Sequence, residues 1–246
     1  MKSVTLNLKK NDYKIEEAFK MLRTNIQFCG ERVKVIDITS CTPDEGKSLV
    51  SIHLARSLAE SGKRTLYLDA DMRKSTLAGI IDAGGEQIYG LSYVLTGQTG
   101  LEECLLKTQY PNLYLIAPGK FPPNPAELLD SRVFLELINA LRGAFDYVLI
   151  DTPPLANVID SAIVARECDG AVLVIEAGTV GYRFAQDILA QLDRSACPVL
   201  GAVLNKVDMK RTGKYYGKYY GKYYGAQTKA SGDSVSSPKE SGAEHS

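Results

Sequence analysis

The chain has 246 residues, 45% of them apolar and 24% charged, with 29 basic side chains balancing 29 acidic ones. That length suits one sizeable domain with an extension, and zero net charge excludes a globally basic nucleic-acid binder. Its five cysteines (Cys29, Cys41, Cys104, Cys168 and Cys197) form no Cys-x-x-Cys pair, which points to reduced thiols rather than a disulfide framework.

In chain order, the opening MKSVTLNLKKNDYKIEE lacks the apolar stretch of a signal peptide. No later run is apolar for long enough to predict a membrane span, so membrane association has to come through a partner. Strands are predicted at 33–39, 64–70, 112–117, 146–152, 170–176 and 198–205, several almost wholly apolar, as strands covered on both faces are. Helical patterns lie between them at 47–61, 125–142 and 181–194. The third strand-to-helix link reads PNPAELL, with Asn124 as cap, Pro125 in the first helical position and Glu127 completing a capping box. Residues 80–110 yield no reading. The alternation predicts a doubly wound, mainly parallel α/β sheet with its ligands at the carboxyl ends of the strands. It ends near residue 208. From Met209 to Ser246 there is no Leu, Ile or Phe, and Val235 is the sole β-branched aliphatic. Such a segment buries too little apolar surface to offset its ordering entropy, so 209–246 is expected to be a disordered tail beside a 1–208 domain. The tail contains GKYYGKYYGKYYG at 213–225, which holds six of the fourteen tyrosines.

The strand ends carry the chemistry. SCTPDEGKS, residues 40–48, resembles a P-loop, in which backbone N–H groups and a helix N-terminus hold phosphate. Pro43, Asp44, Glu45, Gly46, Lys47, Ser48 and Leu49 are the nucleotide-binding candidates: Gly46 for close approach, Lys47 for the outer phosphates, Ser48 for magnesium. Cys41 stands where the common form has its first Gly. Two further strands end in acid, with Asp69 and Asp71 two residues apart on one side of an extended chain and Asp151 before two prolines. One strand-end Asp is an ordinary turn residue. Three, beside a P-loop, suit the hard-oxygen coordination of Mg2+ with ATP, with Ser48, Asp71 and Asp151 as the candidate ligands. The histidines, His53 and His245, supply neither a Ser-His-Asp triad nor a His-rich zinc site; His53 reads as a helix residue with no special role. NKVD at 205–208 resembles a guanine-binding motif, which keeps a GTPase open; otherwise Asn205 is the candidate contact to adenine.

Together, Ser40–Ser48, Leu66–Arg73, Val148–Pro154, PPNPAELL and the tyrosine repeat resemble the bacterial tyrosine kinase family, in its capsular and extracellular polysaccharide branch. The resemblance runs to residue 225 and implies a P-loop NTPase fold of the deviant Walker type. It implies a tyrosine kinase that uses ATP and Mg2+, with Asp69 accepting the acceptor proton or orienting the hydroxyl beside Lys47, and Arg73 either a surface cation or a group meeting transition-state charge. The six acceptors would be Tyr215, Tyr216, Tyr219, Tyr220, Tyr223 and Tyr224, modified between subunits. It also implies a homo-oligomeric ring through Glu17, Lys20 and Arg23 in the 1–30 region, where Lys20 replaces the family's Arg. A membrane-anchored adaptor at the inner face of the cell membrane, other protein substrates modified on tyrosine and a cognate tyrosine phosphatase complete the expected partners.

Two alternatives stay open on the residues. A ParA/MinD-like ATPase shares the loop architecture but expects a second lysine where Thr42 stands. A nucleotide-dependent scaffold for polysaccharide assembly would bind ATP without modifying its tail.

Overall fold

The computed structural model describes residues 1–208; the tyrosine repeat and the other expectations for 209–246 lie outside the described residues. The strands are β1 (Lys2–Ser3), β2 (Thr5–Leu6), β3 (Val35–Ser40), β4 (Thr65–Asp69), β5 (Ile81–Asp82), β6 (Leu106–Lys107), β7 (Leu113–Ile116), β8 (Tyr147–Asp151), β9 (Gly170–Glu176) and β10 (Val199–Asn205). The helices are α1 (Tyr13–Phe28), α2 (Lys47–Glu60), α3 (Leu91–Leu95), α4 (Leu101–Cys104), α5 (Pro125–Leu129), α6 (Arg132–Ala144), α7 (Asp160–Ala165) and α8 (Tyr182–Arg194).

The main sheet has the order β1-β6-β7-β4-β8-β3-β9-β10. From β7 to β10 all neighbours are parallel, while β6 runs antiparallel to β7. The pleat sends alternate side chains to opposite faces. Ile36 and Ile38 of β3 join Ile52, Leu54 and Leu58 of α2 on one face. Val35 of β3 and Leu66 and Leu68 of β4 meet Phe134, Leu137, Ile138 and Leu141 of α6 on the other. That i, i+3, i+4, i+7 spacing is the apolar stripe of an amphipathic helix. Every predicted strand is present, each shifted by no more than two residues at either end.

Three expectations need correction, and one stretch without a reading gains one. The helix expected over 125–142 is two helices, because Ser131 accepts the Phe134 N–H at 3.3 Å and caps a new start at α6. Asn124 makes no side-chain cap bond; its amide donates to Glu127 at 2.6 Å, so the two side chains satisfy each other and no capping box forms. Residues 80–110 are ordered through partners distant in sequence. Here β5 pairs antiparallel with β2, and Gln109 exchanges two hydrogen bonds of 2.8 Å with the backbone of Leu6. Finally, His53 is not idle. It is 3% exposed, stacks on Phe19 of α1 with ring centroids 5.1 Å apart, and lies 3.1 Å from the Asn11 amide. It thus ties the N-terminal region to α2.

All five cysteines are free thiols. Among the described residues no helix is long and apolar enough to cross a membrane.

Candidate active site

The carboxyl ends of β4, β8 and β3 lie side by side, with Asp69 in register with Asp151 and Ile38 in register with Asp151. The loop between β3 and α2 therefore opens directly beside both acidic strand ends. Its shape depends on two left-handed residues, Asp44 (φ 65°) and Gly46 (φ 87°). At Gly46 the crowding is as important as the dihedral, since a Cβ there would sit 2.3 Å from the Asn205 amide nitrogen. The Glu45 side chain is 1% exposed and turns away from the loop mouth. It accepts the Thr42 N–H at 2.7 Å and the Glu176 N–H at 3.2 Å. From the end of β10, Asn205 donates to the Glu45 carbonyl at 2.9 Å, and Lys206 donates to the Asp44 carbonyl at 2.6 Å and to Glu176 at 2.8 Å. NKVD thus braces the loop from outside. Pro43 has no N–H to offer and shapes the backbone instead. Among the described residues no group accepts from the amides of Asp44 to Leu49, so these donors at the start of α2 converge as an anion cradle does. The Leu49 side chain is exposed.

Lys47 lies at the centre. Its Nζ is 3.3 Å from Asp71 Oδ2, 3.4 Å from Asp151 Oδ1 and 3.3 Å from the Ser48 hydroxyl. Burial alone would lower its pKa, but the carboxylates of Asp151, Asp71 and Asp69 together raise it, so it is a firm cation. Asp151 rises as well, because removal from water outweighs the attraction of the Lys47 ammonium. Its second oxygen accepts the buried Tyr67 phenol at 3.0 Å.

The pair Asp69 and Asp71 departs from the extended geometry expected of it. Strand β4 stops at Asp69 and the chain turns at once, with the Met72 N–H bonded to the Ala70 carbonyl at 2.9 Å. Asp69 Oδ1 accepts the Asp71 N–H at 2.9 Å and Oδ2 accepts the Ser75 hydroxyl at 2.5 Å. This turn carries Asp71 to Lys47 and leaves Asp69 to hold the loop that follows. Burial, then the neighbouring Asp151 carboxylate, push Asp69 up to about 8 against the pull of Ser75 and Lys47.

Among the described residues no three His, Cys, Asp or Glu side chains converge as a self-sufficient metal cluster. The donor set is instead one hydroxyl and two carboxylates around a lysine. That suits Mg2+, which takes one or two carboxylates together with substrate phosphates rather than an all-protein cage.

Two participants, Asp37 and Asp160, had no signal in the sequence. Asp37, in the middle of β3 and 0% exposed, accepts hydroxyl bonds from Thr152 at 2.7 Å and Ser161 at 2.9 Å. Burial pushes it up to about 7 even with those two bonds opposing. Asp160 at the start of α7 is fully buried and receives a two-pronged bond from Arg73, at 2.7 and 2.9 Å. Arg73 is therefore anchored inside the fold. These contacts join the Asp71 turn, α7, β3 and the segment after Asp151 into one polar framework. Glu17 and Lys20, on α1, pair with each other at 2.7 Å, while Arg23 turns inward and donates to the Ser57 carbonyl of α2 at 2.8 Å. The three residues sit apart from the phosphate cradle, at the far end of α2.

A family model described as an AAA domain matches residues 33–195. The tyrosine-protein kinase CpsD of Streptococcus agalactiae is 44% identical over 195 residues, covering 79% of this chain and 85% of that protein. The kinase domain of the Escherichia coli tyrosine kinase ETK superposes with a TM-score of 0.71 at 31% identity, over 78% of this chain and 75% of that one. The septum site-determining protein MinD from Pyrococcus horikoshii, solved with Mg-ADP, follows at 0.61 and 27% identity, over 72% and 71%.

Proposed function

The chain belongs to the bacterial tyrosine kinase family, CpsD/CapB-like, and from that premise we propose that it transfers the γ-phosphate of ATP to its own C-terminal tyrosines. Residues 1–208 form the catalytic domain in this reading and 209–246 the acceptor tail. The observation that carries it is the position of Lys47, whose Nζ lies within 3.4 Å of both strand-end acids, Asp71 and Asp151, at the mouth of the P-loop.

The amides of Asp44 to Leu49 hold the phosphates, and Lys47 leaves its carboxylates to neutralise the outer phosphate oxygens. Ser48, Asp71 and Asp151 would hold Mg2+, which when bound neutralises charge on the phosphates and orients them. Asn205 sits beside the loop where a purine base would approach. In the transfer, the acceptor phenol oxygen forms a bond to the γ-phosphorus. The bond from phosphorus to the bridging oxygen breaks, ADP leaves with that electron pair, and Asp69 in its ionised form takes the phenolic proton. Charge neutralisation and positioning supply most of the acceleration, since a phenol of pKa about 10 needs only modest help from a base.

The acceptors are Tyr215, Tyr216, Tyr219, Tyr220, Tyr223 and Tyr224, in a stretch whose sequence, 209–225, has five cations (Lys210, Arg211, Lys214, Lys218, Lys222) and no acid. Phosphorylating all six adds roughly −9 to −12, inverting the segment's sign. We propose that this loosens a ring of subunits joined through Glu17, Lys20 and Arg23, modified in trans. The kinase works at the inner face of the membrane through an adaptor, and so regulates capsular or extracellular polysaccharide synthesis.

The test is mass spectrometry of residues 209–225 after incubation with Mg-ATP, with and without an adaptor fragment, beside a Lys47→Met control. Phosphotyrosine that is lost in the control is the expected result. An unmodified tail with steady ATP hydrolysis would instead support a MinD-like switch, and an unmodified tail with tight ATP binding and no turnover a scaffold.

A further inference from the structure

We infer that Tyr67 is a positioning residue for the metal site: its phenol pins one oxygen of Asp151, leaves the other to serve Lys47 or a divalent cation, and thereby favours Mg2+ over Ca2+. This rests on the Mg-nucleotide site of the reading above and not on the identity of the phosphate acceptor. Tyr67 stands between Leu66 and Leu68, in a strand run where an apolar side chain would satisfy the packing. It is 1% exposed, and its ring belongs to the buried cluster of Ile36, Ile38, Ile52, Leu115 and Leu149. A hydroxyl taken that deep is costly unless it finds a partner.

The partner is Asp151. Tyr67 of β4 is in register with Leu149 of β8, two residues before Asp151 and on the same face of the sheet. The long side chain leans along the strands, and its phenol donates to Asp151 Oδ2 at 3.0 Å. Burial, then the charge of Asp151, raise the phenol pKa, so at neutral pH it remains the donor. The other carboxylate oxygen, Oδ1, lies 3.4 Å from Lys47 Nζ and 3.5 Å from the Ser51 hydroxyl, both on α2. The two oxygens are therefore sorted, one toward β4 and one toward the P-loop helix. Because the core holds the ring in place, the carboxylate cannot turn to exchange them without breaking the phenol bond.

This sorting bears on which cation the site accepts. Mg2+ demands a small, near-octahedral shell and keeps several waters, whereas Ca2+ takes more oxygens and readily accepts both from one carboxylate. A carboxylate with one oxygen pinned suits the first and denies the second a two-oxygen grip. Hydrogen-bond partners behind a metal-ligating group are typically worth roughly 10- to 100-fold in metal affinity. Tyr67 acts here through Asp151 alone and touches neither phosphate nor metal.

The experiment uses Tyr67→Phe in the full chain, which removes the hydroxyl and keeps the ring that fills the core. Binding of a fluorescent ADP analogue is titrated with Mg2+ and, separately, with Ca2+. The expected result is a Mg2+ midpoint raised about tenfold or more, with the Ca2+ midpoint moved by less than about threefold and metal-free affinity held within about twofold. Ile52→Val, which trims the same cluster without touching the hydrogen bond, should leave both midpoints in place. Equal shifts for the two metals, a Mg2+ midpoint that does not move, or a loss already present without metal overturns the inference. So does the same change in selectivity from Ile52→Val, since a loosened core would then account for it. A parent protein whose ADP affinity ignores Mg2+ refutes the metal assignment and this inference with it. The expected shift in a chain that transfers no phosphate to tyrosine would keep the role of Tyr67 and refute the kinase reading alone.

Discussion

Replacing Asp37 with asparagine isolates what it costs to keep a carboxyl group in the middle of β3. The side chain is fully buried, and both of its oxygens accept hydroxyl bonds. Those bonds favour the charged form, yet burial dominates and lifts the group from an ordinary 3.8 to about 7. Between these two values the folded chain holds a proton that the unfolded chain has released. Stability therefore falls as pH rises across that window and is level above it. The gap corresponds to about 4 kcal/mol, an upper figure for one group. Asparagine keeps the shape and cannot ionise, and the hydroxyls of Thr152 and Ser161 can rotate to accept from its amide. Asp37→Asn should match the parent near pH 4 and exceed it by up to about 4 kcal/mol at pH 8. With no tryptophan in the chain, urea unfolding followed by far-UV circular dichroism at several pH values is the assay. Contributions from groups whose charge Asp37 does not feel cancel in the comparison. A difference between the two proteins that does not change with pH would refute the reasoning. A variant less stable at pH 8 would show that the charged carboxylate is a net support.

Gly46→Ala should abolish nucleotide binding while the protein stays folded, because the loop must leave its left-handed dihedral and Asn205 must leave its place; a fluorescent ATP analogue reads this, and a loss under tenfold would count against the crowding argument. Arg73→Ala should cost about 1–3 kcal/mol in urea unfolding, since it strands the fully buried Asp160 while the arginine itself is partly exposed. In the same variant the rate of transfer should fall, because the Asp71 turn loses its tie to α7. A variant with unchanged stability would mean that water replaces the guanidinium at no cost.

What the sequence determined by itself was whatever depends on neighbours close along the chain. Apolar runs ending in Asp69 and Asp151, and Gly46-Lys47-Ser48 ahead of an amphipathic run, locate strands, loop and helix because dihedral preference and side-chain periodicity act over a few residues. Even there the limits of local reasoning are visible. Ser131 divided a helix that periodicity joined, since a cap bond outcompeted continuation, and Asp69 bent a chain that alternation would have kept straight. The remainder was decided by tertiary structure. Asp37 meets Thr152 and Ser161 more than a hundred residues away, Arg73 finds Asp160 eighty-seven residues on, and Lys47 is flanked by Asp151 at the end of β8 and Asp71 in the turn after β4. An aspartate within an apolar strand reads as an error until the hydroxyls that satisfy it are brought across the sheet. Burial and charge are properties of surroundings, and strand order assembles those surroundings from distant parts of the chain.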